Sequence, residues 1–502
     1  MGVEPDRSGD NVHELGDHRP ARARGGEMRV TEYFNIGRSQ REVDFVDVDV
    51  DSDTLSFIDP RALSAMPTPW AHNCVSRIQG YFQVILDALM DGDTRRAKYL
   101  LSTLREPNET HLGYSKGRPR GSGVGEKIAA EIYEALSASS AVRTGMLQDL
   151  EEAALFVPGI GPDRVSDLAV NIIRGQLIDF TQEACEYYEI PMVDSVPSGP
   201  VWDSRRKRWE SYYTQLPLVY GTPLILVPKS IVRRKLQFDP QDYYTHHILP
   251  FLEQEELASG GSLVHLLRSG PRVYRRDLKL KYGVGKETNT RITVENPEIL
   301  ENYRRLKDQH PQPAMDHDWL PGGETEEEFD WDALLDKVLN TPVGKAHADI
   351  YHRNVEALLS ALFYPHLTSP RREFKIHGGM KRIDIAYVNE SRRGFFYWLS
   401  QHYPAPFVFI ECKNYGKELK NPEFDQLVGR FSPSRGKFGI IAHRGFGDKD
   451  KILRSCRNSA YDDHGWMVVL DDNDLRALVE ERIELGVSEF SLIREQFEAL
   501  VN

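Results

Sequence analysis

The spacing of apolar residues along the chain changes near residue 344. Before that point, most apolar residues recur every three or four positions, which predicts amphipathic helices. The predicted helical segments are Asn73–Leu104, Gly125–Leu136, Thr144–Leu155, Arg164–Tyr188 and Tyr243–Glu256. Alternation through residues 31–60 and the apolar run Leu216–Val227 predict short strands. Residues 31–300 are therefore predicted to form a mainly helical α+β domain.

From residue 344 onward, predicted strands and helices alternate. A helix at Ala346–Phe363 is followed by strands near Phe374, Ile383 and Val408. The next predicted elements are a helix at Pro422–Phe431, a strand at Lys437–Ala442, a helix at Asp448–His464 and a strand at Trp466–Leu470. Such alternation is typical of an α/β domain with a central sheet between helices, which we expect over residues 344–502.

Two segments lack apolar periodicity. Residues 1–30 are polar and contain no apolar stretch of the kind that a secretory signal needs, so they are predicted to be a disordered tail. Residues 301–343 include the run HPQPAMDHDWLPGGETEEEFD, whose Pro, Gly and acidic residues are typical of a linker between domains.

Composition and charge narrow the class of protein. No apolar run in the 502 residues approaches the roughly 20 residues that cross a bilayer, so no membrane association is expected. The four cysteines are isolated in sequence, which favours a reducing cytoplasm and argues against a structural zinc site. The net charge is −13, which argues against a polyanionic partner. Residues 346–470 nevertheless hold 19 Lys and Arg against 13 Asp and Glu, and a local positive field can steer a polyanion.

Two acids and a lysine in the predicted strands carry the candidate chemistry. Asp384 lies between Ile383 and Ile385, so its side chain faces away from these two apolar residues. Glu411 and Lys413 are two residues apart in a later apolar run, so they share one face of that strand. Two carboxylates can hold a hard divalent cation, and an amine can orient a water molecule for attack on phosphorus. The pattern therefore predicts a metal-dependent phosphodiesterase.

Together with two flanking residues, this pattern resembles the PD-(D/E)XK, or restriction-endonuclease-like, nuclease superfamily, in particular its Mrr-like and resolvase-like branches. Asp384 is similar to the first metal-binding acid of that family, and Glu411 with Lys413 is similar to its E-x-K pair. Glu356, on the preceding helix, matches an auxiliary acid, and Gln426 matches a glutamine on the following helix. The resemblance implies a mixed central sheet flanked by helices and catalytic roles for all five residues. It also implies that Asp384, Glu411 and Glu356 bind Mg²⁺ or Mn²⁺.

The same resemblance makes nucleic acid the expected partner, with DNA favoured because the Mrr-like branch mostly cuts DNA. Basic residues near the site, or mixed with aromatic residues, are candidate contacts to phosphates. They are Lys381, Arg382, Lys417 and Arg430 in the C-terminal part, and Arg205, Arg206, Lys207 and Arg208, which lie between Trp202 and Trp209. The run Arg272–Arg276 also mixes basic and aromatic residues.

The sequence favours a metal-dependent endonuclease, and its two-part architecture resembles stand-alone effectors of bacterial anti-phage and restriction systems. The alternative is a non-catalytic nucleic-acid-binding or regulatory protein built on an inactive nuclease fold. A homo-oligomer or a defence-system partner subunit is compatible with both. A third hypothesis places a second activity around Asp163 and Asp167. No nucleotide cofactor is expected, because Glu126 separates the Gly-rich loop from Lys127 and breaks the order of a phosphate-binding P-loop.

Overall fold

The computed structural model describes residues 28–66, 68–113, 124–268, 270–315, 317, 329–376, 381–417, 419, 421–445, 447–462, 464–486 and 488–501. The apolar side chains of these residues form two separate hydrophobic cores, one between Val30 and Met315 and the other between Trp331 and Leu500. We call the parts of the chain that surround them the N-terminal unit and the C-terminal unit. Most of the predicted tail, residues 1–27, lies outside the described residues.

The N-terminal unit is mainly helical. Its α-helices are α1 (Val30–Tyr33), α2 (Pro60–Ser64), α3 (Pro69–Met90), α4 (Thr94–Ser102), α5 (Val124–Ala138), α6 (Ser140–Arg143), α7 (Ala153–Phe156), α8 (Pro162–Ile172), α9 (Arg174–Tyr188), α10 (Pro240–Tyr243), α11 (Leu249–Ser259), α12 (Arg275–Tyr282), α13 (Lys286–Glu295) and α14 (Glu298–Gln309). Helix α3 begins where Thr68 accepts a hydrogen bond from the backbone N–H of Ala71, with Pro69 in the first turn. Its buried residues include Cys74, Ile78, Tyr81 and Ile85, and this spacing of three and four places one apolar face on the core.

The strands of the N-terminal unit are short and pair two at a time. They are β1 (Phe57–Ile58), β2 (Val193–Pro197), β3 (Val201–Asp203), β4 (Arg208–Glu210), β5 (Tyr213–Leu216), β6 (Leu218–Val219), β7 (Thr222–Pro223), β8 (Val232–Arg233), β9 (His265–Leu267) and β10 (Gly270–Arg272). The antiparallel pairs are β1 with β8, β2 with β5, β3 with β4, β6 with β7 and β9 with β10. Among the described helices of the whole chain, none has both the length and the apolar character that crossing a bilayer requires.

The C-terminal unit alternates helices and strands. Its elements are α15 (Trp331–Leu339), α16 (Ala348–Phe363), β11 (Leu367–Ile376), β12 (Lys381–Asn389), α17 (Gly394–His402), β13 (Phe407–Lys413), α18 (Asn421–Val428), β14 (Phe438–His443), α19 (Lys449–Tyr461), β15 (Trp466–Leu470), α20 (Asp472–Leu485) and α21 (Ser491–Val501). The five strands form one sheet in the order β11-β12-β13-β14-β15. Neighbours are antiparallel from β11 to β13 and parallel from β13 to β15, so the sheet is mixed. The prediction of two parts, one mainly helical and one with a mixed sheet, is confirmed at this level.

Helices lie on both faces of this sheet. On one face, the hydroxyl groups of Tyr387 in β12 and Ser360 in α16 are 2.8 Å apart, so α16 packs there. On the other face, Gln426 of α18 hydrogen-bonds Glu411 of β13. The two opposite faces of β12 and β13 therefore contact different helices.

The interpretation of residues 301–343 as a linker is wrong at both ends of that range. Helix α14 extends to Gln309, and its side chains Ile299, Leu300 and Tyr303 are buried in the N-terminal core. Helix α15 contributes its buried residues to the C-terminal core. The Pro and Gly residues on which the linker prediction depended lie in the sequence between the two helices. Residues 318–328 lie outside the described part of the chain.

The two units contact each other through charged side chains. Arg38 Nη2 lies 2.5 Å from Glu356 Oε2, and this ion pair is buried. Two more exposed pairs connect Arg353 with Glu189 at 3.2 Å and Arg371 with Glu183 at 3.3 Å. In addition, Arg392 donates hydrogen bonds to the backbone carbonyls of Ala62 and Gln312.

The connection between α15 and α16 is tied to the sheet. Asn414, the residue after β13, donates hydrogen bonds of 3.0 Å to the carbonyls of Pro342 and Gly344. Its own carbonyl accepts a hydrogen bond of 2.9 Å from the N–H of Gly344. Arg444, just after β14, donates to the carbonyls of Val338, Leu339 and Thr341 at the C-terminal end of α15.

Candidate active site

The candidate site lies where β12 and β13 separate. The two strands pair from Val388 with Phe407 to Ile385 with Ile410. Beyond that point β12 remains paired with β11, and β13 remains paired with β14 as far as Lys413 opposite His443. We call the gap beyond Ile385 and Ile410 the sheet fork. Its walls are the first residues of β12 and the last residues of β13, and each strand is paired on its outer side with another strand.

Asp384 and Glu411 are the first residues past the last β12–β13 pair, one on each side of the sheet fork. Since residues opposite each other in an antiparallel pair point to the same face, the register brings the two carboxylates to one face. Asp384 Oδ2 accepts a hydrogen bond of 2.8 Å from the backbone N–H of Cys412. This bond replaces the ladder bond that the separation removes, and it holds the carboxylate inside the fork.

Glu411, Lys413 and Gln426 form a closed hydrogen-bonded group. Lys413 Nζ is 2.8 Å from Glu411 Oε1 and 3.1 Å from Gln426 Oε1. Gln426 Nε2 donates to the same Glu411 Oε1 at 2.5 Å. The other oxygen, Glu411 Oε2, is buried and has no hydrogen-bond partner among the described residues. One carboxylate oxygen is thus saturated, and the second is available as a ligand.

Burial dominates the electrostatics of Glu411, whose residue is 1% exposed. Burial raises the pKa of Glu411, the negative charge of Asp384 raises it further, and Lys413 and Arg430 lower it. A buried carboxylate beside a second carboxylate needs a cation to remain ionised. Lys413 supplies part of that charge, and a divalent cation in the fork would supply the rest.

Two carboxylates, one with a free buried oxygen, fit a Mg²⁺ or Mn²⁺ ion. Among the described residues, no group of three or more His, Cys, Asp and Glu side chains is arranged to hold a metal. Mg²⁺ is commonly bound through one or two protein carboxylates, with the remaining positions filled by water and substrate phosphate. Asp384 and Glu411 therefore match the way this ion is held beside a phosphate.

The structure does not bring Glu356 into this group, in contrast to the prediction that it binds the metal. The carboxylate of Glu356 accepts hydrogen bonds from Arg38 at 2.5 Å and from Ser360 at 2.8 Å. Burial lowers the pKa of Arg38. The charge of Glu356 and its hydrogen bond raise this pKa by more, so that it lies above its usual range. The guanidinium group also lies over the rings of Tyr187 and Tyr188. Glu356 is therefore committed to the contact between the two units.

Two histidines near the fork were missed by the sequence analysis. His352 Nε2 lies 4.0 Å from Asp384 Oδ2. It precedes Glu356 by one turn of α16, so the spacing of the two residues could have indicated it. His443, opposite Lys413 in β14, is fully buried, and burial lowers its pKa. Its Nδ1 accepts from the N–H of Gly445 and its Nε2 donates to the carbonyl of Lys417, so the ring is neutral and fixes the loop after β13.

The predicted phosphate contacts near the site fall into different environments. Arg382 and Lys417 are exposed, on β12 and in the loop after β13. The backbone of Lys381 opens β12, and its side chain lies outside the described atoms. Arg430 is 9% exposed, and its positive charge lowers the pKa of Glu411 from inside the fold. Arg430 therefore lies near the site with little exposed surface, and its contact with a phosphate stays a prediction.

Residues 205–207 of the basic run lie in the exposed turn between β3 and β4, and Arg208 begins β4. The aromatic neighbours of the run do not form part of an exposed surface with it. Trp202 is 1% exposed, and Trp202 and Trp209 pack edge-on against Tyr81 in the core. The charges are also partly compensated, since Arg206 pairs with Asp203 and Glu210, and Arg208 pairs with Glu210. The exposed side chains of Arg205 and Lys207 remain as candidate contacts.

The acids of the third hypothesis lie together on α8. Burial raises the pKa of Asp167 well above its usual value, and the charges of Asp163, Glu106 and Asp53 raise it further. Within the described ranges they do not make a metal-holding group. A second activity at these residues stays a prediction.

Comparison with known proteins reaches the N-terminal unit. Residues 35–239 match a family model described as a domain of unknown function, DUF8370. The match ends before α10, and the sheet fork lies outside it. No curated protein and no solved structure matches the chain. Any statement about activity therefore depends on the chemistry of the sheet fork.

Proposed function

We propose that the C-terminal unit is a metal-dependent nuclease of the PD-(D/E)XK type that hydrolyses phosphodiester bonds, with DNA as its substrate. The observation that carries the proposal is the convergence of Asp384, Glu411 and Lys413 at the sheet fork, with Glu411 Oε2 buried and free of partners among the described residues. The mixed sheet between helices supports the same superfamily.

Each residue at the fork has a chemical task in this proposal. Asp384 and Glu411 would hold Mg²⁺ or Mn²⁺, which neutralises charge on the phosphate and makes water a stronger nucleophile. Lys413 has three N–H donors, and two of them bind Glu411 and Gln426. The third can donate to a phosphate oxygen or to the attacking water, where charge develops in the transition state. Gln426 keeps the ammonium and the carboxylate in this geometry.

Cleavage of plasmid and linear duplex DNA in Mg²⁺ or Mn²⁺ tests the proposal. We expect Asp384→Ala, Glu411→Ala and Lys413→Ala each to lower the rate by roughly 100-fold or more. Matched controls are Glu480→Ala and Lys451→Ala, which change exposed residues of the same unit and should leave the rate near that of wild type. Calorimetric Mn²⁺ titration of Glu411→Gln gives a readout independent of turnover, and weaker binding than in wild type is expected.

The alternative function is a nucleic-acid-binding or regulatory protein without cleavage. The observation that favours it is the commitment of Glu356 to Arg38, which leaves two acids at the fork within the described part of the chain. If wild-type protein cleaves neither DNA nor RNA with any divalent metal, and Mn²⁺ binding is the same in wild type and Glu411→Gln, the nuclease proposal is refuted.

A further inference from the structure

A positively charged surface lies on the N-terminal unit around the basic run Arg272–Arg276, away from the sheet fork. Residues 265–291 contain eight Lys and Arg against two Asp and Glu, a difference of +6 in a chain whose net charge is −13. They fold as the antiparallel hairpin β9–β10, followed directly by α12 and α13. We call residues 265–268 and 270–282 the hairpin–helix surface.

Some of these cations are engaged within the protein. Lys281 pairs with the buried Glu256, and Arg276 pairs with Asp277 at 3.3 Å. Lys286 turns inward and donates to the carbonyls of Val157 and Ile160. Their charges therefore contribute less to the outer field.

Four other cations are exposed and make no ion pair with any described residue. They are Arg268 and Arg272 on the hairpin, and Arg275 and Lys279 on α12. Arg272 lies 5.3 Å from the centre of the Tyr274 ring, which orients its guanidinium group without neutralising it. A row of uncompensated cations on a short rigid element is a typical footprint of a polyanion-binding surface.

Exposed aliphatic side chains lie among these cations. Leu266 of β9 is 86% exposed, and Leu280 of α12 is 79% exposed. Leu278 lies between Arg275 and Lys279 on α12, and its fully buried side chain anchors the helix to the core. The surface thus presents charge and apolar contact together on a fixed backbone.

We propose that the hairpin–helix surface binds duplex DNA through its phosphate backbone. The positive charge of the surface complements the negative charge of the DNA phosphates. The major groove of duplex DNA is about 12 Å wide and admits a two-stranded ribbon or a helix. Single-strand platforms rely on exposed aromatic rings that stack on bases. The most exposed apolar side chains here are instead leucines, which contact sugars and base edges in a groove. The inference goes beyond the proposed nuclease, because DNA binding here requires no cleavage.

Binding of a fluorescent duplex to the full-length protein in EDTA tests this inference without cleavage. The variant Arg268→Glu/Arg272→Glu/Arg275→Glu should bind roughly 30-fold or more weakly near 0.1 M salt. The slope of log affinity against log salt should fall in magnitude by about three. The matched control Arg95→Glu/Arg143→Glu/Lys235→Glu makes the same charge change at exposed positions that are not candidate nucleic-acid contacts, and it should lose much less.

Circular dichroism confirms that both variants are folded, and the milder pair Arg272→Ala/Lys279→Ala gives a second measurement of the same surface. The inference is overturned if wild type does not bind the duplex, or if the two triple variants lose equally. Tighter binding to single-stranded DNA, to RNA or to vesicles containing phosphatidylserine overturns it as well. Intact binding in EDTA, together with no cleavage after Mg²⁺ or Mn²⁺ is added, would count against the proposed nuclease and leave this inference standing.

Discussion

The buried pair of Arg38 and Glu356 gives the most quantitative prediction. The side chain of Glu356 is 0% exposed and that of Arg38 is 13% exposed. Replacing Arg38 by Met keeps an adaptable side chain against Tyr187 and Tyr188 but leaves the carboxylate with the hydroxyl of Ser360 as its remaining partner. Breaking a buried pair in this way typically costs about 3–5 kcal/mol of the free energy of unfolding.

A double-mutant cycle measures this energy. Urea unfolding followed by tryptophan fluorescence is measured for wild type, Arg38→Met, Glu356→Gln and the double variant. The double variant should be more stable than the sum of the single losses predicts, with a coupling energy of about 2 kcal/mol or more, because Gln and Met leave no buried charge.

The control for the cycle is Arg353→Met, which removes a more exposed pair between the units. Arg353 and Glu189 are 50% and 67% exposed, so this change should cost about 1 kcal/mol or less. If Arg38→Met costs no more than Arg353→Met, or if the coupling energy is close to zero, the buried pair does not hold the units together as we infer.

Three further predictions concern single side chains. Gln426→Leu should lower cleavage roughly 10–100-fold without changing the circular dichroism spectrum, since it releases Lys413 and Glu411; an unchanged rate would contradict this role. Arg430→Met should shift the acidic limb of the pH–rate profile to higher pH, because Arg430 lowers the pKa of Glu411; no shift, or a shift to lower pH, would refute it. Burial raises the pKa of Glu390 from 4.5 to about 7. The stability that comes from burying the protonated carboxyl is fully present below about pH 4.5. It is lost as the pH rises through about 7, because the folded protein must then bury a charged carboxylate or protonate it. Glu390→Gln should therefore gain up to about 3 kcal/mol of stability over wild type between pH 5 and pH 8 in urea unfolding, and a constant difference would show that the burial is not maintained.

Local patterns predicted the part of the site that depends on strand geometry. The two-residue periodicity of a strand placed Glu411 and Lys413 on one face. In the structure, Lys413 Nζ lies 2.8 Å from Glu411 Oε1. The alternation of strands and helices after residue 344 likewise indicated a sheet with helices on both sides. These features follow from short-range rules that a single sequence carries.

Contacts between distant parts of the chain could not be predicted in the same way. Arg38 and Glu356 are 318 residues apart, and the spacing of residues around Glu356 gives no sign of its partner. The exposure of a basic run also depends on its neighbours, so the inward packing of Trp202 and Trp209 escaped a reading of composition. The ends of the expected linker are helical because α14 and α15 contain no Pro or Gly and bury Tyr303 and Trp331 in the two cores.

The anchoring of Asn414 has a mechanical consequence. Asn414 follows Lys413 directly, and three hydrogen bonds join it to Pro342 and Gly344 in the connection between α15 and α16. A movement of the connection between α15 and α16 relative to the sheet would therefore act on the residue next to Lys413 at the sheet fork.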